Sequence, residues 1–222
     1  LHMEKIARIE DEKEIRVGIR TKGEKQGITN VVFMGMGEPL ANYDATLAAV
    51  RVLNDEQGVH LGARNITIST VGLIPQILKL AGEELQINLA VSLHAADNET
   101  RDQTVPVNKR YPLGQLIQAC GTYIERTNRR IFFEYVLLDG QNDSLKDADN
   151  LGKLLEGLMC HVNLIPVNPT SGSSFNRPDR ERGKEFQNKL SEYSIPSTLR
   201  MEKGIDINAG CGQLRTTFMN EI

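Results

Sequence analysis

From Ile28 onward, short apolar runs rich in Val and Ile alternate with longer stretches of helical period. The short runs predict strands over 30–34, 65–69, 86–92, 130–137, 161–166 and 197–201. They are nearly continuous rather than alternating, which predicts parallel strands covered on both faces. Helices fit between them. The stretch 43–54 puts Leu47, Val50 and Leu53 on one stripe. A helix over 74–80 opens with Pro75 near its first turn, where the missing N–H costs nothing. The stretch 113–125 carries Leu113, Leu116, Ile117, Cys120 and Ile124 at helical spacing, and 145–158 repeats this with Ala148, Leu151, Leu155 and Leu158. A last helix over 180–193 carries Phe186, Leu190 and Tyr193.

Before Ile28 the pattern is weaker. Residues 4–16 have Ile6, Ile9 and Ile15 in a mostly charged stretch, which predicts a marginal amphipathic helix followed by an exposed loop. The chain therefore divides into a charged helix and loop remnant over 1–27 and a core over 28–222. Six strands alternating with helices make an α/β protein of βα repeats. A doubly wound sheet and a partial (β/α) barrel both satisfy the pattern. In either one, chemistry belongs at the carboxyl ends of the strands.

Composition narrows the class. Of 222 residues, 40% are hydrophobic and 25% charged, as in an ordinary globular protein with a real core. No apolar run approaches the roughly 20 residues of a membrane span. Leu1-His2-Met3 reads as a cloning remnant before a start codon. The net charge of −3 does not point to a polyanion binder. Lys109-Arg110, Arg126 with Arg129-Arg130, and the stretch 177–184 could still be solvated ends or join into one RNA-facing patch. Cys120, Cys160 and Cys211 lie far apart, without metal or redox spacing, which fits a reducing cytoplasm. Cys120 and Cys160 read as packing residues.

The strand ends are polar and glycine-rich. The first runs into Gly35-Met36-Gly37-Glu38-Pro39, where two glycines admit a ligand close to the backbone and Glu38 offers a carboxylate to an amine. A tight turn with a solvated Glu is the plainer alternative. The second ends at Ser69-Thr70-Val71-Gly72. The third closes on Ser92-Leu93-His94-Ala95, whose Ser and His should face the mouth together. They make a poor catalytic pair at that spacing but plausible hydrogen-bond donors to a ribose or carboxylate. The next two strands lead to Asp139-Gly140 and to Asn168 between Pro166 and Pro169. Cys211 sits between two glycines near the end of the chain.

Taken together, Val31-Val32-Phe33-Met34-Gly35-Met36-Gly37-Glu38-Pro39-Leu40, Ser92-Leu93-His94-Ala95, Asn163-Leu164-Ile165-Pro166 through Asn168-Pro169, and Cys211-Gly212-Gln213-Leu214 resemble the RlmN/Cfr family of radical-SAM methyltransferases over roughly 28–216. The resemblance implies a radical-SAM partial barrel of about six parallel strands that methylates an adenine ring carbon in 23S rRNA, C2 in the commoner branch and C8 in the other, and leaves open whether tRNA is a substrate too. It implies S-adenosylmethionine held by Gly37 and Glu38 at the methionine amino group and by Ser69, Ser92, Leu93, His94 and Asn168 elsewhere. Cys211 matches the cysteine that accepts a methyl group. A 4Fe–4S cluster, an electron donor such as flavodoxin, a cytoplasmic setting and a monomeric state follow from the same likeness.

One departure stands out. The family's Cys-x-x-x-Cys-x-x-Cys motif, which ligates the cluster, precedes the segment that begins here at Ile28, and the three cysteines present lack its spacing. The first barrel strand and cluster loop are thus expected to be missing, and the chain by itself is expected neither to ligate the cluster nor to cleave S-adenosylmethionine. Two competing readings are a cluster-less paralogue that binds S-adenosylmethionine or RNA without catalysis, and an unrelated βα enzyme using Glu38, His94 and Asp139 as acid–base groups.

Overall fold

The computed structural model describes residues 28–168 and 176–200. Six strands form one sheet: β1 (Val31–Phe33), β2 (Ile66–Thr70), β3 (Asn88–Ser92), β4 (Ile131–Leu137), β5 (Cys160–Pro166) and β6 (Ser197–Leu199). Their spatial order is their chain order, and every neighbouring pair is parallel. β1 and β6 are not paired with each other, so the sheet is an open partial barrel.

Five of the connecting helices fall where the apolar stripes predict them: α1 (Tyr43–Asn54), α2 (Ile74–Leu80), α4 (Leu113–Thr127), α5 (Leu145–Leu155) and α6 (Arg180–Glu192). A sixth, α3 (Asn98–Thr104), was not predicted. Its only buried residue is Arg101, so it has no apolar stripe to read. Its start is nonetheless written in the sequence, because the Asp97 carboxylate accepts from the Thr100 N–H at 2.8 Å. α5 opens on a reciprocal cap between Ser144 and Asp147.

All helix stripes pack on one face of the sheet. Ile66 and Ile68, Leu89 and Val91, Ile131, Phe133, Tyr135 and Leu137, then Cys160, Val162 and Leu164 meet Leu47, Val50, Leu116, Cys120, Tyr123, Leu151 and Phe186 in a single core. The intervening strand residues point to the other face. They are Val32, Thr67, Ser69, Asn88, Ala90, Ser92, Phe132, Glu134, Val136, His161, Asn163, Ile165 and Thr198. The expectation of strands covered on both faces is therefore corrected: among the described residues helices cover one face only, and the inner face mixes polar residues with Val32, Ala90, Phe132, Val136 and Ile165. Small and weakly polar residues such as Ala90, Thr67 and Ser69 blurred an alternation that is present.

The packing of α5 against α6 hinges on Gly152. A Cβ built there would lie 2.2 Å from Cδ2 of Tyr193, whose hydroxyl donates to Asp149 at 2.6 Å. In an ordinary helix Gly→Ala stabilises by about 1 kcal/mol. Here Gly152→Ala is expected to have the opposite sign, a loss of about 1–3 kcal/mol as the ring is displaced. Urea unfolding of the two proteins reads this directly, and a gain in stability would refute it.

Candidate nucleoside site at the mouth of the sheet

The carboxyl ends of β1, β2 and β3 are tied together by hydrogen bonds between buried or half-buried side chains and the backbone. After β1, Gly35 and Gly37 take φ values of 122° and 94°, conformations closed to most side chains. A Cβ on Gly37 would meet nothing within 4 Å, so the need for glycine here is conformational and the turn stays open to an approaching ligand. Glu38 is not a loose solvated carboxylate. One oxygen accepts from the Leu40 N–H at 2.9 Å and the other from the Val71 N–H at 2.7 Å. It thus ties the end of β1 to the end of β2, with lone pairs left over for an amine.

The Ser92-Leu93-His94 segment is held from two sides. From beneath, the Arg101 guanidinium donates to the carbonyls of Leu93 (3.0 Å), Ser92 (3.1 Å) and Val71 (2.8 Å), and to Oδ1 of Asn108 (3.0 Å). Arg101 is fully buried, and burial lowers its pKa to about 10. From the side, Asn142 donates to the carbonyls of His94 and Val136, both at 2.8 Å, and accepts from the Leu138 N–H at 2.7 Å. Sequence reasoning found neither Arg101 nor Asn142.

His94 itself leaves the strand, with φ at 58°. A non-glycine residue in that region is strained and needs outside support. Ser92 and His94 therefore do not extend side by side as expected. The His94 ring turns onto β4, where Nδ1 accepts the Val136 N–H at 3.1 Å. Only an unprotonated Nδ1 can accept, so the ring is neutral and Nε2 carries the hydrogen. Burial, with a smaller contribution from the Arg101 charge, lowers its pKa to about 4. The result is a fixed neutral donor.

Of the other expected residues, Ser69 is buried on the inner face of β2, and Asn168 is half-buried just past the end of β5. Leu93 is fully buried, and its N–H donates to the Glu134 carbonyl while its own carbonyl accepts from Arg101. Gly37, Glu38, Ser69, Ser92, His94 and Asn168 thus all lie at or near the carboxyl edge of one sheet. Cys211 lies outside the described residues, as does the expected remnant over 1–27. Asp139 is an exposed turn residue whose N–H donates to the Asn176 carbonyl.

The Radical SAM superfamily profile matches residues 2–151. The chain belongs to the radical SAM superfamily. Within it, the chain is 53% identical over 188 residues to a probable dual-specificity RNA methyltransferase RlmN of Alkaliphilus oremlandii, covering 85% of this chain and 55% of that protein. A probable RlmN of Desulfitobacterium hafniense is 52% identical, covering 85% and 52%. A crystal structure of a radical SAM methyltransferase from Sphaerobacter thermophilus superposes with a TM-score of 0.84 at 50% identity, covering 94% of this chain and 58% of that one. The chain spans about half the length of the curated relatives it matches. A domain of a pyruvate-formate lyase-activating enzyme from Bacteroides vulgatus shares the fold at 15% identity and a TM-score of 0.57.

A superfamily member needs S-adenosylmethionine and an iron–sulfur cluster. The mouth fits the former: an open glycine turn, a carboxylate and a neutral imidazole donor line one edge. The described residues do not fit the latter. No group of three or more His, Cys, Asp or Glu among them could hold a metal. Cys120 and Cys160 are buried in the core, and burial pushes their thiols up to about 12 and about 11, away from the thiolate a cluster requires. No described helix is long and apolar enough to cross a membrane.

The basic runs do not join on one face. Arg126, Arg129 and Arg130 lie between the end of α4 and the start of β4, at the amino edge of the sheet. Lys109-Arg110 precede α4, and 177–184 lead into and start α6, both at the carboxyl edge. Of the three runs, the latter two lie at the edge that carries the mouth.

Proposed function

We propose that the protein is a radical-SAM RNA methyltransferase that methylates an adenine ring carbon, C2, in 23S rRNA and in tRNA, with Cys211 as the methyl-accepting cysteine. The observation that carries this reading is the fixed neutral His94 on the same carboxyl edge of the sheet as Gly37 and Glu38, in a chain about half identical to RlmN proteins. In this reading Gly37 and Glu38 hold the amino group of S-adenosylmethionine, and Ser69, Ser92, Leu93, His94 and Asn168 hold the rest. When bound with a reduced 4Fe–4S cluster, S-adenosylmethionine supplies both a methyl group and radical chemistry suited to an aromatic carbon that is a poor nucleophile. The residues of this chain bind and orient: Glu38 accepts from the amine, His94 Nε2 donates, and the Arg101-held carbonyls keep the segment in place. The reaction is assigned to the cytoplasm, with a flavodoxin-like protein as electron donor and the enzyme acting as a monomer.

Mass spectrometry of RNA treated with the full-length protein and S-adenosylmethionine tests the reading. The expected product is 2-methyladenine, lost in Cys211→Ala. Methylation that survives in that variant removes Cys211 from the mechanism, and an 8-methyl product moves the protein to the other branch. The 222-residue chain, treated anaerobically with iron and sulfide, is expected to show no stoichiometric cluster absorbance. A full cluster would mean that Cys120, Cys160 or Cys211 ligates it.

A further inference from the structure

One acidic residue of the inner face is almost wholly buried. Glu134 is 5% exposed and sits in the middle of β4, between Phe133 and Tyr135 of the helix-side core. Its own side chain therefore faces the other way. Register places it beside Ser92 on β3 and Asn163 on β5, one step below His94. Asn163 donates Nδ2 to Oε1 at 2.8 Å. The other oxygen, Oε2, is buried and has no hydrogen-bond partner.

That arrangement is expensive for the fold. A buried acceptor left without a donor costs about 1–3 kcal/mol. Burial raises the Glu134 pKa, against smaller opposing effects of the Asn163 hydrogen bond and the Arg200 charge. One step away along the inner face stand Ala90, Val136 and Ile165, which carry no such penalty. Nothing among the described residues uses the second oxygen, whereas an acceptor at the depth of Ser92 complements the donor that His94 presents above it.

We propose that Oε2 of Glu134, braced by Asn163, accepts a hydrogen bond from a hydroxyl or exocyclic amino group of an adenosine unit bound in the mouth. The inference rests on the reading of the mouth as a nucleoside site. An ionised carboxylate is an acceptor only, and adenosine offers it three donor groups: the 2′-hydroxyl, the 3′-hydroxyl and the 6-amino group. S-adenosylmethionine carries all three, and an adenosine within RNA carries the 2′-hydroxyl and the 6-amino group.

The test is calorimetry on the full-length protein and on Glu134→Gln, with 5′-methylthioadenosine and its 2′-deoxy, 3′-deoxy and 6-deamino analogues as probes. Glutamine keeps an acceptor for Asn163 but puts an NH₂ where Oε2 stood, so donor meets donor. The parent probe is expected to bind about tenfold or more weakly to the variant. One analogue should bind the native protein with a similar loss, yet lose nothing further in the variant. A second arm repeats the comparison with a short single-stranded RNA carrying one adenosine, replaced in turn by purine riboside and by deoxyadenosine. Coupling among the small probes assigns the donor to the cofactor, and coupling confined to the RNA assigns it to the substrate. Equal losses for every analogue in both proteins overturn the inference and leave the nucleoside reading intact. Failure of the native protein to bind any probe overturns both. If Glu134→Gln does not fold, the double variant Glu134→Leu/Asn163→Leu replaces the pair by apolar groups of similar shape. It is expected to fold and to show the same loss of coupling, and coupling that persists in it overturns the inference.

Discussion

Arg101→Leu is expected to destabilise the protein by on the order of 4 kcal/mol. The guanidinium satisfies the carbonyls of Val71, Ser92 and Leu93 and the amide oxygen of Asn108, all in one fork with no exposed surface. Leucine leaves four acceptors without that donor, each costing about 1–3 kcal/mol if it stays dry. The total falls short of their sum because the variant no longer buries a charge and because water can reach some of the space. Arg101→Lys should recover only part of the loss, since an ammonium is a point charge that cannot span carbonyls from two strand ends. Urea unfolding read by far-UV circular dichroism gives the comparison. A loss below about 1 kcal/mol for the leucine variant would mean that the carbonyls are satisfied some other way. Because two of those carbonyls belong to Ser92 and Leu93, nucleoside affinity should fall in the lysine variant even where it remains folded.

Arg101 also marks where the sequence stops being readable. Five helices announce themselves by apolar stripes, and five of the six strands by Val- and Ile-bearing runs, because burial repeated at a fixed period leaves a local record. α3 leaves none: its seven residues, Asn98–Thr104, turn only Arg101 inward. The mouth was legible where a general rule applies, since ligands gather at the carboxyl ends of parallel strands and Gly37, Glu38, Ser92 and His94 stand there. What supports those residues was not legible. Arg101 reaches Val71 across 30 residues, and Asn142 reaches His94 across 48. A hydrogen bond to a distant carbonyl constrains one side chain and imposes no period on its neighbours. Asn142 stands in Gly140-Gln141-Asn142-Asp143, where the local pattern gives it nothing to set it apart from a turn residue. The same limit hid the polar residues of the inner face. Glu134 and Asn163 interrupt their strands singly, and a lone polar residue in a β-rich run cannot say which face it occupies until the register is known.

His94 provides the second large effect, a pH dependence confined to the acid side. Its pKa in the folded protein is about 4, against 6.5 for an ordinary histidine. Below pH 6.5 the unfolded chain takes up a proton that the folded ring refuses. The stabilisation from keeping His94 neutral is thus complete above about pH 6.5 and is lost progressively as the pH falls through 4. The difference corresponds to roughly 3 kcal/mol, at about 1.4 kcal/mol for each unit. Carboxylates titrate over part of the same window, and His161, also lowered by burial, adds its own dependence. The measurement is therefore the difference between native protein and His94→Gln, in which those contributions cancel. That difference should be flat from pH 8 to about 6.5 and then slope downward, with native protein losing more stability than the variant. A difference that stays flat to pH 4, or an imidazole NMR titration centred near 6.5, would show that Nδ1 does not depend on the Val136 N–H. The binding consequence runs the other way from that of an ordinary surface histidine. With Nδ1 occupied and the ring neutral, Nε2 remains a donor throughout the range where a free imidazole changes charge, so the contribution of His94 to nucleoside affinity should not change between pH 8 and 6.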